Sequence, residues 1–298
     1  MQLQLLPSFR IDKEKWNDYL ANSTNPLIYA STIYLDSMTD NWDGIVGDDY
    51  SIIMPIPWRK KVGIKYSYDV PFIQQLGVFG KSVQQEDIEF CIKLLLRAYK
   101  YGDYALNYMN NVTKGKEANN YMLSLASNYR STSFFYSDNL KTNLARAEKH
   151  SFEYTNALAE EAISMFQNLY AAKLPHVTKD VYLKFYQLCA LKAKENNLVV
   201  RKTTLNGNVL AINLLLKDKF RMYNLMPSTT PEGKKISAGH FLLDNIIKEF
   251  SQTGLVLDLE GSDIEGIQRF YKSFGAINQP YNKIHFNRLP LLLRLFKR

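Results

Sequence analysis

Three consecutive β-rich segments restrict the fold of this chain more than any other feature of its sequence. The runs "LVVRKTTLNG" (198–207) and "NVLAINLLLKDKFRMYNLM" (208–226) are rich in β-formers and are broken by Asn-Gly and Lys-Asp turns. Such runs predict a three-stranded antiparallel meander. A loop rich in Pro, Ser and Thr follows, and residues 236–254 then carry apolar side chains at helical spacing up to Gly254. The meander is therefore followed by an amphipathic helix.

Strands and helices also alternate on both sides of this core. Downstream lie a buried-looking strand, "LVLDLEG", a helix, "DIEGIQRFYKSFG", and a last alternating run, "YNKIHFNRL". Upstream, a short strand precedes two helical patterns at 156–173 and 178–197. The C-terminal half thus reads β, α, α, β, β, β, α, β, α, β. This order predicts the α/β class with a mixed (α+β) sheet and helices on its faces.

The N-terminal half repeats part of this order more faintly. Each half has a strand, an apolar helix that ends at a glycine (Gly102 and Gly254), and another strand, which indicates an internal duplication. A chain of 298 residues also exceeds the usual size of one domain. We therefore predict two related domains, residues 1–135 and 136–298, with the active site in the second.

The composition is that of an ordinary globular protein, with 46% hydrophobic and 22% charged residues. No stretch approaches the roughly 20 apolar residues of a membrane helix, and the N-terminus lacks the features of a signal peptide. We therefore expect no stable membrane insertion and a cytoplasmic location. Cys91 and Cys189 lie in helical apolar patterns, which favours buried, unpaired thiols. The four histidines are scattered, so we expect no metal site.

The net charge of +8 suggests an anionic partner such as a nucleotide phosphate, RNA or a membrane surface. Basic residues cluster at 58–65, 139–150 and 288–298, although each cluster is also consistent with a solvated surface. None of the three has the interleaved aromatic residues of a recognised RNA-binding module. The sequence also contains no G-x-S-x-G, C-x-x-C, Walker or dinucleotide-binding motif, which argues against those enzyme classes.

The segment "IQRFYKSFGA" (267–276), together with the order of the elements, resembles the closing helix of the GNAT acyltransferase family. In that family the helix after the meander begins with a Gln/Arg-x-x-Gly-x-Gly/Ala loop, which binds the pyrophosphate of coenzyme A. Here the loop reads "KKISAG", with Ser237 where the family has its first glycine. A helix start with free N–H groups suits a phosphate. The resemblance implies acetyl-CoA or another acyl-CoA as cofactor, bound by Lys234, Lys235, Ser237 and Gly239.

The resemblance extends to the FemAB-like branch of that superfamily, the Fem-type peptidyltransferases, which use aminoacyl-tRNA. The basic segment "KTNLARAEK" (141–149) is similar to one that these enzymes carry between their halves, and "RFYKSFG" is similar to their terminal signature. The helical arm that several of them insert is not visible in this sequence. This resemblance implies tandem GNAT-like domains and makes tRNA a possible partner.

Acyl transfer to an amine requires donors for the oxyanion and an acid for the leaving group. The resemblance makes Tyr271 the acid, although Tyr271 also lies on the apolar stripe of its helix and could simply pack in the core. Asp258 and Glu260 alternate with apolar residues at a strand end and could accept a proton through water. Alternatively, they cap the next helix or pair with Arg269.

Asn224 lies on the strand before the "KKISAG" loop, where GNAT enzymes splay the sheet and expose a backbone N–H to the thioester oxygen. The sequence therefore favours an N-acyltransferase that moves an acyl or aminoacyl group from a thioester or aminoacyl ester to a primary amine. The acceptor would be a small-molecule or peptide amine. The alternatives are a non-catalytic GNAT-like binding module and an aminoacyl-tRNA-dependent transferase that contacts RNA through the basic segment.

Overall fold

The computed structural model describes residues 2–113, 115–261 and 263–294, and the chain divides into two units. The first unit contains the residues up to Ala118 and those from Pro280 onward, and the second contains Asn119–Gln279. This division differs from the predicted ranges 1–135 and 136–298. A strand at 121–124 joins the sheet of the second unit, and the strand at 281–287 returns to the sheet of the first.

The first unit has a mixed sheet of eight strands among its described residues, in the order β1-β2-β3-β4-β6-β15-β7, with β5 paired to β3. Element labels run in chain order through both units. Its strands are β1 (Gln4–Pro7), β2 (Trp42–Val46), β3 (Ile52–Lys61), β4 (Ile64–Ser67), β5 (Phe79–Gly80), β6 (Tyr101–Ala105), β7 (Lys116–Ala118) and β15 (Tyr281–Asn287). Its helices are α1 (Lys13–Ala21), α2 (Thr32–Met38), α3 (Gln85–Ala98) and α11 (Leu291–Arg294).

The second unit has a mixed sheet of seven strands in its described part, in the order β14-β8-β13-β12-β11-β10-β9. Its strands are β8 (Tyr121–Ser124), β9 (Glu153–Asn156), β10 (Leu198–Leu205), β11 (Asn208–Lys217), β12 (Arg221–Thr229), β13 (Val256–Asp258) and β14 (Ile277–Asn278). Its helices are α4 (Tyr129–Phe134), α5 (Asp138–Ala147), α6 (Ala159–Tyr170), α7 (Lys179–Lys194), α8 (Pro231–Lys235), α9 (Ala238–Glu249) and α10 (Glu265–Ser273). The predicted mixed α/β class is confirmed, because helices and mixed sheets alternate as the sequence indicated.

The meander β10-β11-β12 forms the centre of the second unit. Helices α5, α9 and α10 share one apolar core with this sheet, which includes Leu215, Met222 and Leu257 on successive strands. Adjacent residues of β12 are buried on both sides, so helices cover both faces of the strand. Among the described strands of the second unit, β12 and β13 are the only parallel neighbours. This parallel pair, joined through α8 and α9, positions the candidate site.

Two absences apply to the described part of the chain. No helix there is long and apolar enough to cross a bilayer, and no group of three or more His, Cys, Asp or Glu side chains could hold a metal ion. Cys91 and Cys189 are buried and unpaired, and burial raises the pKa of each thiol to about 12. Both therefore stay protonated at neutral pH.

Candidate functional site

Strands β12 and β13 run side by side for three residues and then diverge. Their parallel register ends at Tyr223 and Asp258, while β12 continues to Thr229 with only β11 on its other edge. Where they diverge, β12 contains a bulge that leaves Leu225 out of register with β11. No described strand pairs with the free edge of β12 beyond Tyr223. This edge of β12 therefore makes no strand pairing beyond Tyr223, and bulges of this kind are common near active sites.

Asn224 stands at the start of this free edge. Its side chain is 1% exposed, and neither its amide nitrogen nor its amide oxygen has a hydrogen-bond partner among the described residues. A buried polar group without a partner costs about 1–3 kcal/mol. An amide retained at that cost beside a bulge can donate one hydrogen bond and accept another from a bound molecule.

Tyr271 lies on α10, which follows β13. Its ring is buried in the core and its centroid lies 6.0 Å from that of Tyr121. Burial raises the pKa of the phenol above its usual value, and the charges of Glu260 and Asp258 raise it further. The phenol is therefore neutral and can donate a proton, but it cannot act as a base. The ring packs in the core, which is the packing role considered above. The nearby carboxylates of Glu260 and Asp258 both raise the pKa of its hydroxyl.

Asp258 and Glu260 have different surroundings. Asp258 is 1% exposed, its Oδ2 accepts hydrogen bonds from Arg221 (Nη1, 3.1 Å) and Asn120 (3.4 Å), and its Oδ1 accepts one from the Glu260 N–H (3.0 Å). Burial raises the pKa of Asp258, and the Arg221 guanidinium opposes this effect. Arg269, the alternative partner considered above, instead faces Glu265 at 3.6 Å. Both oxygens of the buried Asp258 carboxylate therefore already accept hydrogen bonds within the protein.

Glu260 is partly exposed and has left-handed backbone geometry, with φ at 62°. The sequence interpretation placed it on the strand with Asp258, but β13 ends at Asp258 because the carboxylate there captures the Glu260 N–H. A left-handed non-glycine residue costs about 1–2 kcal/mol, and such strain is common at functional sites. The charge of Glu260 raises the pKa of the Tyr271 phenol.

The "KKISAG" loop lies at the far end of β12. Lys234 and Lys235 are exposed in the last turn of α8, and Ser237 is the left-handed residue (φ 64°) that precedes α9. The Ser237 side chain is buried and its hydroxyl donates to Asn143 of α5 at 3.4 Å. A Cβ on Gly239 would lie 2.6 Å from Oγ1 of Thr229, so only glycine allows α9 to approach β12 this closely.

Tyr170, at the end of α6, was not identified from the sequence. Its hydroxyl accepts a hydrogen bond from the Thr229 N–H, and its phenol also acts on Tyr271. Thr229 therefore joins the loop at Gly239 to the cluster of Tyr170, Tyr271 and Glu260. The sequence signal that could have drawn attention to Tyr170 is its spacing of four residues from Phe166, with which its ring pairs on the same helix.

His240 was also missed. Its ring lies 4.9 Å from Phe270 and 6.3 Å from Phe274, so it bridges α9 and α10. Burial, helped by the charge of Arg146, lowers the pKa of His240 to about 4. The imidazole is therefore neutral at physiological pH, and it packs between the two helices against Phe270 and Phe274.

This histidine should make stability depend on pH. Its folded pKa of about 4 lies below its ordinary value of 6.5, so the stabilisation is complete above pH 6.5 and is lost as the pH falls toward 4. Because the ring is partly exposed, we expect its contribution to fall by roughly 1–2 kcal/mol over that window. Urea unfolding of the protein and of His240→Gln at several pH values measures this. An equal pH dependence in both would contradict the assignment.

Two surface depressions are lined by other residues. One of about 420 Å³ in the first unit is lined by residues that include Asp103, Lys283 and His285, and one of about 510 Å³ in the second is lined by residues that include Tyr154 and Glu249. Neither contains Tyr271 or Ser237. The structure thus brings Asp258, Glu260 and Tyr271 together and places Asn224 and the loop at the two ends of the free β12 edge.

One protein family matches the part of the chain that contains these residues. Residues 136–273 match the family described as acetyltransferase (GNAT) domain. This range contains the meander, the "KKISAG" loop, β13 and α10, and therefore all eight predicted site residues. No curated protein sequence matches the chain.

Several solved structures share the fold over nearly the whole chain. FemX has 11% sequence identity and a TM-score of 0.70, with complete coverage of both chains. A tandem GNAT protein from the clavulanic acid biosynthesis pathway has 10% identity and a TM-score of 0.56, with 97% of this chain and 99% of that one covered. L-PGS from Bacillus licheniformis has 12% identity and a TM-score of 0.51, with 96% and 95% covered. At these identities the likeness concerns the fold.

Proposed function

Because residues 136–273 form an acetyltransferase domain of the GNAT family, we propose that this protein transfers an acyl or aminoacyl group to a primary amine. The acceptor is an amine on a small molecule or peptide. The donor is a thioester, such as acetyl-CoA or another acyl-CoA, or an aminoacyl ester. A cytoplasmic location stays part of this proposal.

The observation that carries the proposal is the edge of β12 beyond Tyr223, where the Asn224 amide has no hydrogen-bond partner in the described part of the chain and β13 leads to Tyr271. In the reaction the amine nitrogen attacks the carbonyl carbon and forms the new C–N bond. The Asn224 N–H and the backbone N–H groups at the bulge stabilise the oxyanion of the tetrahedral intermediate. The C–S or C–O bond then breaks.

Tyr271 and Glu260 would move the protons. The amine attacks in its neutral form, and Glu260 takes the proton that its nitrogen loses once the C–N bond has formed. The neutral phenol of Tyr271 gives its proton to the departing thiolate or alkoxide. The proton on Glu260 returns to the Tyr271 phenolate, because the carboxylate acts on that hydroxyl. Asp258 is a positioning residue, since it holds the backbone of Glu260 in its left-handed geometry.

A donor phosphate would bind at the start of α9. Lys234 and Lys235 are exposed beside this helix end, whose first N–H groups and dipole favour an anion. The buried Ser237 and Gly239 would shape the loop rather than contact the phosphate through side chains. The basic α5, with Lys141 and Arg146, adjoins the loop through the Asn143 contact and suits a polyanionic donor such as tRNA.

Calorimetric titration with acetyl-CoA tests the thioester donor. We expect heat of binding with the unmodified protein and at least about tenfold weaker binding in Lys234→Glu, because one attractive charge becomes repulsive. Lys219→Glu makes the same charge change at an exposed lysine distant in sequence from the loop and should bind normally. An absence of heat at millimolar ligand would exclude acyl-CoA as the donor.

A non-catalytic GNAT-like binding module is the second candidate, and the burial of Tyr271 and Ser237 favours it. Mass spectrometry of amine acceptors incubated with acyl-CoA or aminoacyl-tRNA separates the two. Acylated product that disappears in Asn224→Leu supports the transferase. Ligand binding without any acylated product supports the module.

A further inference from the structure

Two adjacent phenylalanines project from the second unit where α4 meets α5. Phe134 is 78% exposed and Phe135 is 71% exposed. Their rings meet edge to face with centroids 5.5 Å apart, so they form one apolar wedge. Single exposed apolar residues are ordinary, but two neighbouring phenylalanines at this exposure indicate a surface that meets a partner.

The wedge is held firmly by the residues around it. The N–H of Phe135 donates to the Thr132 carbonyl, and the N–H of Ser137 donates to the Ser273 carbonyl at the end of α10. Tyr136, the next residue, is buried against Phe274 at 5.5 Å. Because its backbone is fixed on both sides, the wedge points outward as a consequence of the fold rather than of a loose loop.

Exposed basic residues lie near the wedge along the chain and at the end of α10. Arg130 is exposed one turn before Phe134 on α4, and Lys272 is exposed in the last turn of α10, next to the point where Gly275 contacts Phe135. Helix α5 and the two residues after it add three further exposed cations. Residues 128–150 contain four cations and two acidic residues. These cations of the wedge segment are Arg130, Lys141, Arg146 and Lys149.

We propose that the Phe134–Phe135 wedge inserts into the surface of an anionic membrane and attaches the protein to it reversibly. Phenyl rings partition into the boundary between headgroups and acyl chains, while nearby cations are attracted to anionic headgroups. Two aromatic side chains with a few cations provide the kind of weak, reversible attachment expected of a peripheral protein.

Other partners fit this surface less well. RNA bases stack on open aromatic faces, whereas here the two rings are perpendicular and each covers part of the other. A protein partner would need an apolar surface that extends beyond two rings, and the flanking residues are polar or charged: Ser131, Ser133, Ser137 and Asp138.

Co-sedimentation with vesicles tests the proposal. We expect the protein to bind phosphatidylcholine vesicles that contain phosphatidylglycerol, to bind pure phosphatidylcholine weakly, and to be released by salt. The double variant Phe134→Ser/Phe135→Ser should bind the anionic vesicles at least about tenfold more weakly. The matched control is Ile277→Ser, which removes another apolar residue of the second unit that is 74% exposed and should bind normally.

A second measurement reports on insertion itself. Phe135→Trp should show an added blue-shifted emission with anionic vesicles that the parent protein lacks, and brominated lipids should quench it. Thermal unfolding of every variant should match the parent, because these side chains are exposed. Equal vesicle binding by the double variant, or no binding by the parent, would refute the proposal. The proposal would also be refuted if the parent protein were a dimer and the double variant a monomer. It would likewise be refuted if the double variant lost only RNA binding.

Discussion

Replacing Tyr271 with phenylalanine is expected to lower turnover by about 10²- to 10⁴-fold while the protein stays folded. The phenyl ring keeps the packing against Tyr121, so only the hydroxyl is lost. Without it, the leaving thiolate or alkoxide must take its proton from water. Steady-state kinetics with the donor that supports product formation measures the change, and KM should move much less than kcat because the phenol acts in the transition state.

The matched control is Tyr121→Phe, which removes the hydroxyl of the neighbouring buried tyrosine. It should retain nearly normal turnover, since Tyr121 lies on β8 and has no assigned proton to transfer. If both variants lose activity equally, packing of the aromatic cluster explains the effect. If neither loses activity, Tyr271 is a core residue and the proton comes from another group.

The regular elements of the second unit could be predicted because their signals are local. Three β-rich runs with turn residues between them, and apolar side chains at helical spacing before Gly254, are enough to identify the meander and α9. The predicted resemblance to the GNAT superfamily is confirmed over residues 136–273, which match the acetyltransferase (GNAT) domain family, and FemX shares the fold of the chain. Tandem GNAT-like domains are confirmed as the fold class.

The pairing between distant segments could not be predicted in the same way. The strand at 281–287 pairs with β6, with His285 opposite Asp103, and no local pattern encodes a partner so far away in sequence. For the same reason the sequence did not identify Arg221 as the partner of Asp258. An arginine in the apolar run "FRMYNLM" is a signal that some buried acid must lie nearby, but it does not identify which one.

Local conformation explains two further differences. The sequence placed Glu260 on the same strand face as Asp258, whereas one hydrogen bond from the Glu260 N–H to the Asp258 carboxylate ends the strand and turns the chain. Ser237 stands where the GNAT family has its first glycine, and in the structure it adopts the left-handed geometry that glycine would favour. Local hydrogen bonds and backbone geometry can thus override the average conformational preference of a residue type.

Replacing Arg221 with methionine is expected to destabilise the second unit by about 3–5 kcal/mol. Arg221 is 7% exposed and its guanidinium lies 3.1 Å from the Asp258 carboxylate, so its removal leaves a buried acid without a counter-charge. The double variant Arg221→Met/Asp258→Leu removes both charges and should recover most of this loss, because a buried ion pair is worth little more than apolar packing. Urea unfolding measures both changes.

The exposed pair of Lys13 and Asp36 provides the matched control. Its atoms are closer, at 2.7 Å, but the side chains are 48% and 39% exposed, so Lys13→Met should cost less than about 1 kcal/mol. A loss at Arg221 as small as this would show that water reaches Asp258. Because Asp258 fixes the backbone of Glu260, the double variant should also lose activity while it regains stability. If a stable double variant keeps its activity, neither Asp258 nor the backbone geometry that it imposes on Glu260 is needed for the reaction.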